Sequence, residues 1–285
     1  MATTASARPD AAPEQPPVAL PVRAELRRQL RRRRTVGIFL VLAALPLVLV
    51  AAFALGGGNG GAGQTFVDLA QYGGANLTLF TLFASTGFLL IIVVALFFGD
   101  TVPAEASFGT LRYLLIAPVP RSRLLASKLI VAGVFTLVTM IFLPLWSLVV
   151  GGLAYGWNPY LSPTGDQLTM TAFAVRLPVI IGYLLLSLAV VAALAFAFGV
   201  VTDAPLAAVG GAVLVMILSA ILDSIPALGP IADALPGHFA YAWSSALAPA
   251  IDFSRMVSGA LWSIGYAIIG VGFAFWWFQR KDITS

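Results

Sequence analysis

The 285-residue chain has no cysteine, a single histidine (His238), and charge on only 10% of its residues. Without thiols there is neither a disulfide framework nor a thiolate metal site. Lysine is almost missing, because Lys128 and Lys281 stand alone among many arginines. Neither lysine follows a glycine, so the Gly-Lys-Ser/Thr of a Walker loop is lacking and no ATP-hydrolysing motif is present. No His-Glu-x-x-His run offers to bind zinc, and Gly99-Asp100 lacks the second glycine of an intramembrane aspartyl site. His238 could pair with Asp233 for acid–base work, but a lone histidine beside a proline-rich loop reads better as packing.

What the chain has in excess is apolar residues, at 60%. A soluble domain carries about 45–50% apolar and about 25% charged residues. The expected class is therefore an all-α polytopic membrane protein. Residues 1–21, rich in Ala, Pro and Thr, read as a disordered tail. Residues 22–35 read as an interfacial amphipathic helix, with Val22, Leu26 and Leu30 on one stripe and arginines around the rest. A cation cluster abutting an apolar run is an orientation signal rather than a nucleic-acid arm.

Six spans are expected at about 36–55, 77–99, 127–153, 177–201, 204–222 and 257–278, each near the ~20 residues that cross a ~30 Å hydrocarbon core. Pro46 and Pro144 are expected to kink the first and third. The first span, preceded by arginines and containing Ala52-Phe53-Ala54, mimics a signal peptide. Its full length and the five spans after it argue against cleavage. With an internal N-terminus, fourteen of the 16 cations fall on the cytoplasmic side, and only Arg176 and Arg255 fall outside. Both termini are then cytoplasmic, and the glycine-rich run over 56–63 is an external linker. Residues 223–256, cut by Pro226, Pro230, Pro236 and Pro249, read as re-entrant or interfacial pieces before the sixth span. Phe239, Tyr241 and Trp243 among them suit the headgroup level.

The span interiors carry no ionisable side chain, which disfavours a secondary transporter, because coupling ions need groups that bind and release them. No charged ring or carbonyl filter marks a channel. If transport is active, its energy must come from another polypeptide, through a cytoplasmic contact.

The only sizeable internal loop, residues 100–128, suits such a contact. Asp100 or Thr101 can cap a helix whose first turn holds Pro103 and Glu105. Phe108, Leu111, Leu114 and Leu115 make one apolar face, and Ala117-Pro118-Val119-Pro120 ends it. Ser122 can cap the helix that leads into the third span. The run "PAEASFGTLRYLLIAPVPRSRLLASKL" resembles the cytoplasmic signature of ABC-2-type transporter permeases. Glu105, Gly109, Thr110, Leu111, Leu115, Pro118, Arg121 and Lys128 stand at the matching places.

That resemblance implies a half-size permease subunit spanning residues 36–285, with an N-terminal elbow helix and a coupling helix between spans two and three. It implies a second permease copy, identical or a paralogue, with the translocation path at the interface between copies. It also implies separate nucleotide-binding ATPase subunits that carry ATP and magnesium. They would touch Arg112, Leu114 and the residues above and, more briefly, the turn at Asp203. Lipids are further partners, nucleic acid is not, and the permease itself is no enzyme. The cargo expected is an exported amphiphile, and the location a bacterial cytoplasmic membrane. The competing function is an ATP-independent membrane scaffold or assembly factor, and a neighbouring ATPase gene would favour transport.

Overall fold

The computed structural model describes residues 22–56, 66–103, 121–202 and 204–281, and it is mostly helical. Helix α1 (Val22–Leu30) leads into α2 (Arg33–Gly56). A short α3 (Phe66–Ala70) precedes α4 (Gly74–Thr86) and α5 (Leu89–Gly99). The longest helix, α6 (Arg121–Tyr155), is followed by a hairpin of β1 (Tyr160–Leu161) and β2 (Gln167–Leu168). Helices α7 (Met170–Ser187), α8 (Ala189–Val201) and α9 (Pro205–Asp223) come next. Two 3-10 segments, Pro226–Ala234 and Ala242–Leu247, lead to α10 (Ser254–Arg280).

Five units are long and apolar enough to cross a membrane: α2, α6, the joined α7–α8, α9 and α10. The pair α4–α5 makes a sixth if it is counted as one span, although it bends by 59°. Burial follows helical period, as a lipid-facing bundle requires. In α2 only Thr35, Ile38, Leu42 and Pro46 are buried, while Leu40 and Val48 face outward. In α9 the inward stripe is Ala208, Ala212, Met216 and Ser219. By contrast α8 is buried nearly all round and forms the centre of the bundle, packed against α5, α9 and α10. So much outward apolar surface is what a membrane-embedded protein shows.

Several expectations change in detail. The second span is not straight. Ser85 and Thr86 donate back to the carbonyls of Thr81 and Leu82 at 2.7 and 2.6 Å, a pattern that bends helices. At the break, a Cβ on Gly87 would lie 2.5 Å from the hydroxyl of Tyr241, so that ring would have to shift to admit one. Helix α7 begins at Met170, not near 177, because Thr169 caps it by accepting from the Ala172 amide at 3.2 Å. Arg176 therefore lies inside a helix rather than in a loop. Ser122 lies inside α6 rather than before it. The hairpin, with its Ser162-Pro163-Thr164-Gly165-Asp166 turn and Gly165 at φ +89°, was not expected in an all-α chain.

Close approach between helices rests on small residues, as in other membrane bundles. A Cβ on Gly151 would lie 2.9 Å from the Cβ of Leu77, so α4 and α6 touch nearly backbone to backbone.

Candidate functional site

The starts of α1, α2 and α6 share one end of the bundle with the ends of α5, α8 and α10. This end holds most of the cations, and its two described carboxylates are Glu25 and Asp100. Helix α1 turns Glu25 and Gln29 inward together with Val22 and Leu26, which pack against the core. Leu30, the third member of the expected apolar stripe, is exposed instead. The reason is ionic: Glu25 accepts from Arg28 at 2.9 Å and lies 3.7 Å from the ammonium of Lys128. Lys128 is 4% exposed, which corrects the expectation of spans without buried charge: the cation enters α6 because a carboxylate meets it there.

Asp100, just past the end of α5, meets Arg34 in an ion pair and Arg32 at 3.4 Å. Burial pushes its carboxyl above the ordinary range, and the attraction of Arg34 and then Arg32 only partly offsets that. Desolvation thus works against the attraction within this pair. Nearby, Thr101 donates its hydroxyl to the Phe98 carbonyl at 2.8 Å.

On the other flank, Arg121 donates to the Lys281 carbonyl at 3.0 Å. The Lys281 ammonium donates to the carbonyl of Val200 at 3.2 Å, at the end of α8. These contacts form a polar collar: α1 and α2 hold the residues at the ends of the 104–120 stretch, and α10 ties it to α8.

Of the site residues read from the sequence, Arg121 and Lys128 are the two in this collar. Glu105, Gly109, Thr110, Leu111, Arg112, Leu114, Leu115, Pro118 and Asp203 lie outside the described residues. So do the tail over 1–21 and the glycine-rich run from 57 onward. Sequence reasoning missed Glu25, Arg32, Arg34 and Lys281 as partners, and saw Asp100 only as a cap. The available signal was that Glu25 is a rare acidic residue among clustered cations and Asp100 a lone carboxylate at the end of an apolar run.

The opposite end carries the hairpin and the 3-10 segments. Arg176 donates to the carbonyls of Ala246, Ala248 and Pro249 at 3.0, 2.6 and 3.2 Å. Tyr183 donates to the Phe239 carbonyl at 2.6 Å, and Tyr266 to that of Ala234. Tyr183 lies thirteen residues into α7, about 20 Å along it at ~1.5 Å per residue. The interrupted segment thus reaches well down between the helices. His238 does approach Asp233, at 3.3 Å, but its nearer partner is Asp223, at 2.5 Å across Nδ1. Trp243, expected at headgroup level, is only 2% exposed because its 3-10 turn packs against α7 and α10. Two cavities open here. One, of about 440 Å³, lies between α3, α4, the hairpin and the Trp243 turn. The other, of about 530 Å³, is lined by Phe88, Met216, His238 and Tyr241. Among the described residues no group of three or more His, Cys, Asp or Glu side chains is placed to hold a metal.

No curated protein matches the chain. A family model described as "Protein of unknown function (DUF2705)" matches residues 40–284, and the chain belongs to that family.

Proposed function

We propose that this family member is the transmembrane subunit of an ATP-driven exporter of ABC-2 type, coupled through residues 100–128 to a separate ATPase. The observation that carries the reading is the polar collar at the basic end. Asp100 is held by Arg34 and Arg32, Lys128 by Glu25, and Arg121 by the end of α10. A push on the stretch between them would reach α1, α2, α5, α6 and α10 together. Coupling requires an element with two arrangements of similar energy. An ion pair in which burial opposes the attraction, as at Asp100, suits such an exchange.

The finer architecture of this proposal has six spans, the second broken at Gly87. Helix α1 is the elbow, resting on α6 at the membrane surface. The segment over 226–247 is re-entrant, supported by its bonds to Tyr183 and Tyr266. The basic end is cytoplasmic in a bacterial membrane, since clustered arginines stay inside. A second permease copy would complete the path, and the exposed apolar faces of α2 and α9 offer it room. ATP and magnesium belong to the partner, and lipids surround the whole.

Leu111→Ala combined with Leu115→Ala tests the reading. Truncating two hot-spot side chains costs about 2 kcal/mol or more, a roughly thirtyfold loss of affinity. The double variant is expected to insert normally and lose its ATPase on purification. Retention of the ATPase at wild-type level would sink the coupling role. Absence of any ATPase from both forms would favour the scaffold. Orientation has its own test: a reporter active only outside the cytoplasm is expected to give signal at 165 and none at 115.

A further inference from the structure

The larger of the two cavities, about 530 Å³, lies where the start of α5, the second half of α9 and residues 236–241 meet. Its size is that of an ordinary ligand pocket, ~300–1,000 Å³. Phe88, Ile91, Val213, Met216, Ile217 and Ile221 supply its apolar walls. Phe88, Ile217 and Ile221 also belong to the exposed surface, so the cavity opens sideways between helices. From Ile221 back to Val213 the wall runs eight residues along α9, about 12 Å at ~1.5 Å per residue.

One end of this wall is charged. Asp223, the last residue of α9, lines the cavity together with His238. Its Oδ1 meets the His238 Nδ1 at 2.5 Å, while Oδ2 has no partner among the described residues. The carboxylate is not sealed in, since 30% of the Asp223 side chain remains accessible. Asp233 stands across the ring, 3.3 Å from Nε2. Two carboxylates against one imidazole leave the group net negative whether or not the ring is charged. Among the described residues no lysine or arginine lines the cavity to offset it. The carbonyl end of α9 adds its negative pole at the same place. An apolar wall that ends at an open, uncompensated carboxylate has the polarity of a cationic amphiphile.

We propose that this cavity binds a hydrophobic amine, its ammonium on the free oxygen of Asp223 and its apolar body along α9. A zwitterionic lipid fits less well, because its phosphate would sit beside the ammonium in the same negative field. The sideways opening admits a molecule already dissolved in the bilayer. The site lies at the end opposite the collar and does not depend on coupling to an ATPase.

Two photoreactive probes of nearly equal shape separate charge from apolar fit: para-(aminomethyl)benzophenone carries the ammonium, and para-(hydroxymethyl)benzophenone is neutral. Each is irradiated with the protein in phosphatidylcholine nanodiscs over a range of concentrations, corrected for partitioning into empty nanodiscs. Adducts are mapped by mass spectrometry. The amine is expected to label 87–91, 213–221 and 236–241 saturably. Its half-saturation concentration is expected about tenfold below that of the alcohol, the worth of one charge-assisted bond. Asp223→Asn keeps the shape and is expected to erase that preference while leaving the alcohol unchanged. Ala220→Phe fills the cavity from an exposed position and is expected to abolish saturation by both.

Equal half-saturation of the two probes on the wild-type protein overturns the proposal, as does an Asp223→Asn variant that still prefers the amine. Should Asp223→Asn fail to fold, the wild-type comparison of amine with alcohol decides. A second arm replaces part of the phosphatidylcholine by phosphatidylethanolamine. Amine labelling that survives the exchange supports a free amine as the occupant, and displacement of the amine assigns the cavity to a lipid headgroup and overturns it.

Discussion

Replacing Arg176 by methionine removes the clamp on the Trp243 turn while keeping a long apolar side chain in α7. Its guanidinium gives three bonds, of which those to Ala246 and Ala248, at 3.0 and 2.6 Å, are the better ones. A charged donor on a neutral acceptor contributes about 1.5–3 kcal/mol where water is excluded. Pro249 is exposed, so its carbonyl rehydrates at little cost. Counting the two sheltered bonds at the low end gives about 3 kcal/mol. The loss should be local, because the carbonyls sit on one short turn rather than along the bundle. Opening of residues 242–248 would then become roughly a hundredfold more frequent. Hydrogen–deuterium exchange on protein in nanodiscs reads this directly, with the α8 amides as an unchanged internal standard. Arg176→Lys, which keeps charge but not the fork, is expected to fall between. Exchange in 242–248 within threefold of wild type would refute the clamp.

Other substitutions probe separate contacts. His238→Ala cuts the link from Asp223 to the 3-10 segments and should destabilise by about 1–2 kcal/mol. It should also speed exchange over 226–241, whereas an unchanged melting temperature and exchange pattern would count against the link. Gly151→Ala places a methyl 2.9 Å from the Leu77 Cβ and should cost about 1–3 kcal/mol, read as a lower melting temperature in detergent. Asp100→Asn leaves the largely buried Arg34 guanidinium without its carboxylate and should cost about 3 kcal/mol. It should also impair nucleotide-driven activity of the assembled complex, and full activity would remove Asp100 from the coupling account.

The sequence made the apolar spans legible because a hydrocarbon solvent imposes length and composition on each helix by itself. The run over 36–55 reads as a span without reference to any neighbour, and it is one face of α2 that packs. The proline-cut stretch over 223–256 was also legible as something other than a span. What depends on a distant partner was not. The close approach of Tyr241 to Gly87 at the bend joins residues far apart in the sequence. Asp223 opens the proline-cut stretch, and nothing in the sequence marks its pairing with His238. The same holds for Lys128, which is buried near Glu25 of the distant α1. The start of α7 was misjudged for a local reason: Arg176 reads as a boundary, and the cap at Thr169 outweighs it.

Because the chain has no native cysteine, one introduced at position 115 is the only thiol available for crosslinking. With Leu115→Cys in host membranes, a short thiol-to-amine crosslinker is applied with and without ATP, and captured polypeptides are sequenced. The account predicts one dominant product joined to a polypeptide bearing a Walker loop, with a yield that changes when ATP is added. Capture of no polypeptide, or of polypeptides without such a loop and with no response to ATP, would contradict it.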